Sequence, residues 1–211
     1  MPSLEAMISV ALAGLALSAT PGPSMLYILS RSVGQSRAAG MASAVGLGLG
    51  GVLLAMATAL GLAAILNQFD WLVVTLKYVG SAYLIWLGVG MIRDARKTAE
   101  ATLEVNKIEN QPISSIVMQG VFVELLNPKT VLFFALFLPP FVTGGVAMAD
   151  AKMQLLLLGA LVPLTAIPSD LLVAFMGGTL AQSINSQRTL REGLAWVGGI
   201  VLIGIAINLH L

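Results

Sequence analysis

Long apolar segments separated by short polar ones run along the whole chain. The hydrocarbon core of a membrane is about 30 Å thick, so a helix needs roughly 20 apolar residues to cross it. The segments show no alternation of apolar and polar residues over ten-residue units, and the pattern therefore predicts helices. We place six predicted spans at 4–31, 40–66, 69–92, 113–142, 152–178 and 190–210.

Polar residues divide the predicted spans into two groups of three. A turn at Arg31–Arg37 is expected between the first two spans, and the one long polar stretch lies at about 93–112. We therefore expect a single transmembrane domain over 1–211. It would consist of a first repeat at about 4–92, a cytoplasmic connector at about 93–112 and a second repeat at about 113–211.

Composition supports an integral membrane protein. The chain is 57% hydrophobic and only 10% charged, with a mean hydropathy of +0.92, whereas about 25% of residues are charged in soluble proteins. The absence of cysteine excludes disulfides, thiolate metal sites and dithiol redox chemistry. The net charge of +1 gives no indication of a nucleic-acid partner. We expect the lipid bilayer as surroundings and no cofactor.

The lysines and arginines predict the orientation. They follow predicted spans one, three and five, at Arg31, Arg37, Arg93, Arg96, Lys97, Lys107, Arg188 and Arg191. On the other side only Lys152 is found. Positive charge stays in the cytoplasm, so both termini should face outward. With three spans in each half, the second half would be inverted relative to the first, as in many secondary transporters.

The first apolar segment could also be a signal peptide cut near Ala19. However, no lysine or arginine precedes it, Glu5 lies where a basic region would be, and apolar sequence resumes after Pro23. We expect it to remain as the first span.

Two proline motifs lie inside predicted spans, at Thr20-Pro21-Gly22-Pro23-Ser24 and at Asn127-Pro128. Proline favours the first position of a helix, and threonine or asparagine favours the N-cap before it. Each motif therefore predicts a helix that starts again within the membrane, at Pro21 and at Pro128. The first N–H groups of such a helix attract an anion, for example a substrate carboxylate. An ordinary proline kink is the alternative.

Four ionisable residues fall within apolar sequence: Lys77, Glu124, Lys129 and Asp170. Each costs at least ~2.5 kcal/mol at the bilayer centre, so each should face a cavity or a partner. Glu124 and Asp170 are candidates for binding an ammonium group and for carrying protons. Structural ion pairs, Glu124 with Lys129 or Asp170 with Lys77, are the alternative, and Lys77 is expected to extend toward an interface.

Other residues predict local features of the spans. Pro163 and Pro168 indicate that span five is irregular just before Asp170. Gly46 and Gly50, four residues apart, indicate a face where helices pack closely.

Three motifs together resemble one known family. Thr20-Pro21-Gly22-Pro23, the stretch from Lys77 to Gly88, and the stretch from Gly120 to Thr130 are similar to motifs of the lysine exporter/homoserine–threonine exporter (LysE/RhtB) family. The resemblance covers nearly the whole chain. It implies a multi-pass exporter of amino acids or close derivatives in the bacterial inner membrane, driven by the proton gradient. Many relatives have a histidine where this chain has Leu54, and a neutral polar residue where it has Glu124.

These observations predict an amino-acid exporter and not an enzyme. The predicted substrate-binding residues are Thr20, Pro21, Gly22, Pro23, Ser24, Glu124, Asn127, Pro128, Lys129 and Asp170. The helix starts would hold the substrate carboxylate, and Asp170 or Glu124 would hold its ammonium group and exchange it for a proton. Export of a divalent metal through carboxylate oxygens is the alternative. An intramembrane serine hydrolase is less favoured, because the single histidine, His210, lies at the chain end. A homodimer is left open.

Overall fold

The computed structural model describes residues 1–19, 22–62, 70–95, 109–142, 148–186 and 188–210. Within these residues the regular structure is entirely helical. The α-helices are α1 (Leu4–Ala19), α2 (Pro23–Gly34), α3 (Arg37–Ala57), α4 (Asp70–Arg93), α5 (Ile113–Leu125), α6 (Pro128–Leu132), α7 (Met148–Ser186) and α8 (Arg188–Asn208). A π-helical turn, Thr58–Leu62, extends α3, and another, Phe133–Phe137, follows α6 before a 3₁₀ turn at Pro139–Phe141.

The helices are long and apolar enough for a multi-pass membrane protein. Three stretches qualify alone: Arg37–Gly61, Val74–Arg93 and Asp150–Gly177. Two bent pairs, α1 with α2 and α5 with Pro128–Phe141, bring the number to five if each pair is one span, and Ala195–Asn208 is a shorter apolar helix. The predicted all-α membrane fold is confirmed at this level. Most of the predicted connector, residues 96–108, lies outside the described residues.

The turn predicted at Arg31–Arg37 is confirmed. Helix α2 ends at Gly34 and α3 begins at Arg37. Ser36 is the N-cap of α3, and its hydroxyl oxygen accepts a hydrogen bond from the Ala39 N–H at 3.1 Å. This bond satisfies one of the N–H groups that a helix start leaves without a partner.

The irregularity predicted in span five is wrong, because α7 continues through Pro163 and Pro168. A proline inside a helix removes one hydrogen bond, but membrane helices tolerate this where neighbours pack against them. Pro163 lies against Gly51 of α3, where an added Cβ would be only 2.9 Å from the proline Cβ. The missing side chain at Gly51 therefore makes room for the proline ring.

Helix α3 lies at the centre of the bundle, between α5 on one side and α7 on the other. Helix α4 packs against α8, and α1 packs against both α7 and α8. The close approach of α3 to α5 depends on glycine, as predicted. A Cβ added at Gly46 would lie 3.0 Å from the Gly120 Cα, and one added at Gly50 would lie 2.7 Å from the Glu124 Cβ.

We expect the variant Gly46→Ala to be destabilised, because its Cβ would overlap the Val117 carbonyl oxygen and the backbone of Gly120. Overpacking of this kind costs about 1–3 kcal/mol. The matched control is Gly90→Ala in α4, where an added Cβ meets no atom within 4 Å. Thermal unfolding of the purified protein in detergent, followed by tryptophan fluorescence, tests this. Equal melting temperatures for the two variants would contradict the packing described here.

Candidate functional site

The first helix break separates α1, which ends at Ala19, from α2, which begins at Pro23 at an angle of 51°. Thr20 and Pro21 lie outside the described residues. The prediction that the second helix starts at Pro21 is wrong: Gly22 is the N-cap and Pro23 is the first residue. A residue before proline avoids the helical region, and Gly22 is extended, with φ −164° and ψ −176°. A helix starting at Pro21 would require a helical Gly22.

The second break separates α5, which ends at Leu125, from α6, which begins at Pro128 as predicted. The two parts of this bent pair meet at 49°. Asn127 is extended and acts as the N-cap, since its Oδ1 accepts a hydrogen bond from the Lys129 N–H at 3.1 Å. The chain thus leaves the helix and starts a new one here, which differs from an ordinary proline kink.

The two breaks face each other, and Ser24 connects them. Ser24 lies in the first turn of α2, and its hydroxyl donates a hydrogen bond to Glu124 Oε2 at 2.6 Å. The same hydroxyl oxygen accepts a hydrogen bond from Asn127 Nδ2 at 3.0 Å. Both bonds join residues at least 100 positions apart in the chain. A bond to a carboxylate is stronger than a neutral one, so this contact holds α2 against the end of α5.

Lys129 makes the reciprocal connection. Its Nζ donates a hydrogen bond at 2.7 Å to the carbonyl oxygen of Leu17, in the last turn of α1. The last carbonyl groups of a helix have no partner within the helix and carry its negative dipole end, which a cation stabilises. In addition, the Tyr83 hydroxyl of α4 donates to the Lys129 carbonyl oxygen at 3.1 Å. Each break therefore receives a polar group from the other.

A cavity lies between the breaks and α7. Its volume is about 60 Å³, which is room for several waters or one small solute. Of the predicted site residues, the structure places Gly22, Ser24, Glu124, Asn127, Lys129 and Asp170 on its wall. Pro23 and Pro128 are the first residues of the two restarted helices but are not among the lining residues.

The cavity wall also contains residues that the sequence interpretation missed: Gly14, Leu17, Ser18, Met25, Leu47, Gly48, Gly51, Thr130, Phe134, Val162, Pro163 and Ala166. Ser18 lies close to α7, where the Ser169 hydroxyl approaches its hydroxyl oxygen at 3.0 Å. Gly14, Leu17 and Ser18 share one helix face directly before the first break, and this spacing was a signal available in the sequence.

The charges on the cavity wall do not balance. Within the described residues, two carboxyl groups line it, Glu124 and Asp170, but only one ammonium group, Lys129. Full ionisation would leave a charge of −1 (two negative, one positive) in an apolar bundle, which is unfavourable without a further cation or proton. No group of three or more histidine, cysteine or acidic side chains in the described part of the chain is placed to hold a metal ion.

A second polar cluster ties α2 to the start of α5, away from the cavity. Arg31 is only 9% exposed. It donates hydrogen bonds to Gln119 Oε1 at 2.9 Å and to the Glu109 carbonyl oxygen at 3.3 Å. Gln35 Nε2 donates to the Gln111 carbonyl oxygen at 2.7 Å. These bonds fix the far end of α2 and thereby the direction in which its N-terminus points.

The fold and the cavity define a helical membrane protein with a cavity between two broken helices that carries both charged and apolar side chains. The chain belongs to the LysE type translocator family, whose model matches residues 15–211. Members of this family are transporters, so the protein is a transporter and not an enzyme. The family resemblance seen in the sequence motifs is confirmed.

Several curated proteins are similar to this chain. An uncharacterized membrane protein of Pseudomonas aeruginosa is 32% identical over 190 residues, which is 90% of this chain and 87% of the relative. A threonine efflux protein of Salmonella typhi is 28% identical over 69% of this chain and 71% of its own length. A leucine efflux protein of an Enterobacter species is 24% identical over 90% of this chain and 87% of its own length. No solved structure matches the chain.

A double-mutant cycle on Ser24→Ala and Glu124→Leu tests the connection between the breaks, because neither replacement can make the hydrogen bond. Because the two side chains are hydrogen-bonded, we expect their effects on the free energy of unfolding to be non-additive by about 0.5–3 kcal/mol. Titration with a denaturing detergent measures each variant. The control cycle pairs Ser24→Ala with Asp150→Asn, an exposed position in the first turn of α7, and should be additive. Additivity in both cycles would mean that the Ser24 bond does not connect the breaks.

Proposed function

We propose that this protein is a secondary transporter that exports an amino acid or a close derivative from the cytoplasm by proton antiport. The relatives named as threonine and leucine efflux proteins support the substrate class. Amino acids share an α-carboxylate and an α-ammonium group. A site that recognises these two groups serves the whole class, and the walls around it distinguish the side chains.

The charge imbalance of the cavity is the observation that carries the proposal. One extra positive charge neutralises the wall formed by Glu124, Asp170 and Lys129. The ammonium group of a substrate pairs with one of the acids while its carboxylate lies at the positive helix start, and a proton on the same acid removes that acid's charge instead. Since the two compete for the same acid, binding of one favours release of the other, which is the requirement for antiport.

Asp170 is the preferred acid in this proposal. Glu124 already accepts the Ser24 hydrogen bond, whereas no side chain in the described part of the chain donates a hydrogen bond to Asp170. Within the described part of the chain, the Asp170 carboxylate therefore keeps its hydrogen-bonding capacity for an ammonium group. Glu124 is proposed as the second proton-carrying group.

The substrate carboxylate is assigned to the helix starts. Gly22 and Ser24 line the cavity at the start of α2, and the first N–H groups of a helix, together with the positive end of its dipole, attract anions. Thr20 and Pro21 adjoin this turn and belong to the same proposed site. In the other half, Asn127–Lys129 forms the equivalent part, where the Lys129 ammonium group adds positive charge.

We extend the proposal to six spans in two inverted repeats, at about 4–92 and 113–211, joined by the connector at about 93–112. If the two repeats are superimposed, α3 corresponds to α7, α4 to α8 and α1 to α5. The packing pairs α3 with α7 and α4 with α8, and the pair α3 with α5 has its counterpart in α7 with α1. Rocking of one repeat against the other would alternate access to the cavity. We place the protein in the bacterial inner membrane with both termini outside.

We expect Asp170→Asn to abolish proton-coupled export while the protein still inserts, because the amide neither binds an ammonium group as an ion pair nor exchanges a proton. Cells loaded with single dipeptides are followed for release of threonine or leucine, with and without a protonophore. The matched control is Asp150→Asn, the same change outside the cavity on the same helix. Wild-type export by the Asp170 variant would refute its role.

The absence of cysteine makes the orientation directly testable by single-cysteine labelling. Ser3→Cys should react with an impermeant maleimide in intact spheroplasts, and Asn110→Cys should react only after permeabilisation. Both positions are exposed. The reverse pattern would show that the termini face the cytoplasm.

A further inference from the structure

We propose that Gly48 of α3 limits the size of the amino-acid side chain that the cavity accepts. The open space beside Gly48 is then the pocket for that side chain. This inference rests on the proposed function and specifies the substrate within that class. It assigns a specificity role to a residue with no charge and no hydrogen-bonding side chain.

The other glycines of α3 are explained by packing. A Cβ added at Gly40 would lie 2.7 Å from the Ser32 Cβ, and the equivalent atom at Gly46 would overlap the Val117 carbonyl oxygen. At Gly50 the nearest atom would be the Glu124 Cβ at 2.7 Å, and at Gly51 it would be the Pro163 Cβ at 2.9 Å. Each of these four positions must lack a side chain for a neighbouring segment to approach.

Gly48 has no such reason. A Cβ added there meets no atom within 4 Å. Glycine inside a helix is less stable than alanine, because the unfolded chain has more conformational freedom. Packing would therefore favour alanine at this position. What distinguishes Gly48 is that it lines the cavity, so glycine keeps volume open that any other side chain would fill.

Gly48 lines the same cavity as the charged groups of the proposed site. The proposed carboxylate and ammonium contacts, at the helix breaks and at Asp170, hold the part that all amino acids share. Gly48, Pro163 and Ala166 form apolar wall of the same cavity. The volume of the cavity is only about 60 Å³, so one added methyl group removes a substantial part of it. Small substrates would still fit, and large ones would not.

The test uses purified wild type, Gly48→Ala and Gly48→Val in proteoliposomes with an imposed proton gradient. Transport of glycine, alanine, serine, threonine, leucine and isoleucine is measured separately. We expect Gly48→Ala to lower the transport of the largest substrate, relative to the smallest, by about tenfold or more, as one methylene group does in a filled pocket. Gly48→Val should narrow the range further. The control Gly90→Ala makes the same change at an equally open position outside the cavity wall and should match the wild type.

The outcomes separate this inference from the proposed function. Failure of the wild type to carry any amino acid in the panel would overturn the proposed function, and this inference with it. Transport by the wild type with unchanged preference in both Gly48 variants would overturn the inference alone. A melting temperature of Gly48→Ala below that of Gly90→Ala would also overturn it, because the space beside Gly48 would then be occupied.

Discussion

The interior of this bundle depends on two broken helices that satisfy each other's polar groups in surroundings without bulk water. Ser24, after the first break, donates to Glu124, before the second. Lys129, after the second break, donates to the Leu17 carbonyl oxygen, before the first. An unsatisfied backbone or side-chain group in hydrocarbon costs several kcal/mol. Each break therefore depends on the other for its stability. The cavity exists because the two breaks lie opposite each other.

Close helix packing is the second requirement, since α3 packs against both helices that carry the acids of the cavity. Gly50 lies directly beside Glu124, where an added Cβ would be 2.7 Å from the glutamate Cβ. Gly51, the next residue, makes room for Pro163 on α7. Adjacent glycines on one helix thus bring both acid-bearing helices, α5 and α7, to the same cavity. The Arg31 cluster fixes the opposite end of α2 and keeps Ser24 in reach of Glu124.

Local rules predict the parts of this structure that depend on neighbouring residues. Hydropathy places the helices, the turn at Ser36 follows from N-cap chemistry, and Asn127-Pro128 predicts its helix start. The same rule fails at Pro21, because a second proline two residues later forces Gly22 to be extended. The contact from Lys129 to Leu17 spans 112 positions. No local pattern encodes which helices meet, so the role of Gly48 and the Lys129 contact required the folded structure.

The two acids of the cavity are chemically different although both lie in apolar helices. Glu124 is part of the connection between the breaks, so a change in its charge alters the bond that holds α2 against α5. Asp170 lies on α7 and lines the same cavity, and it is not a partner in the Ser24 hydrogen bonds that join the two breaks. Leu54 is partly buried against the apolar core and offers no titratable group. In the proposed antiport, exchange of an ammonium group for a proton would therefore fall to Asp170, and Glu124 would link the charge of the cavity to the positions of the helices.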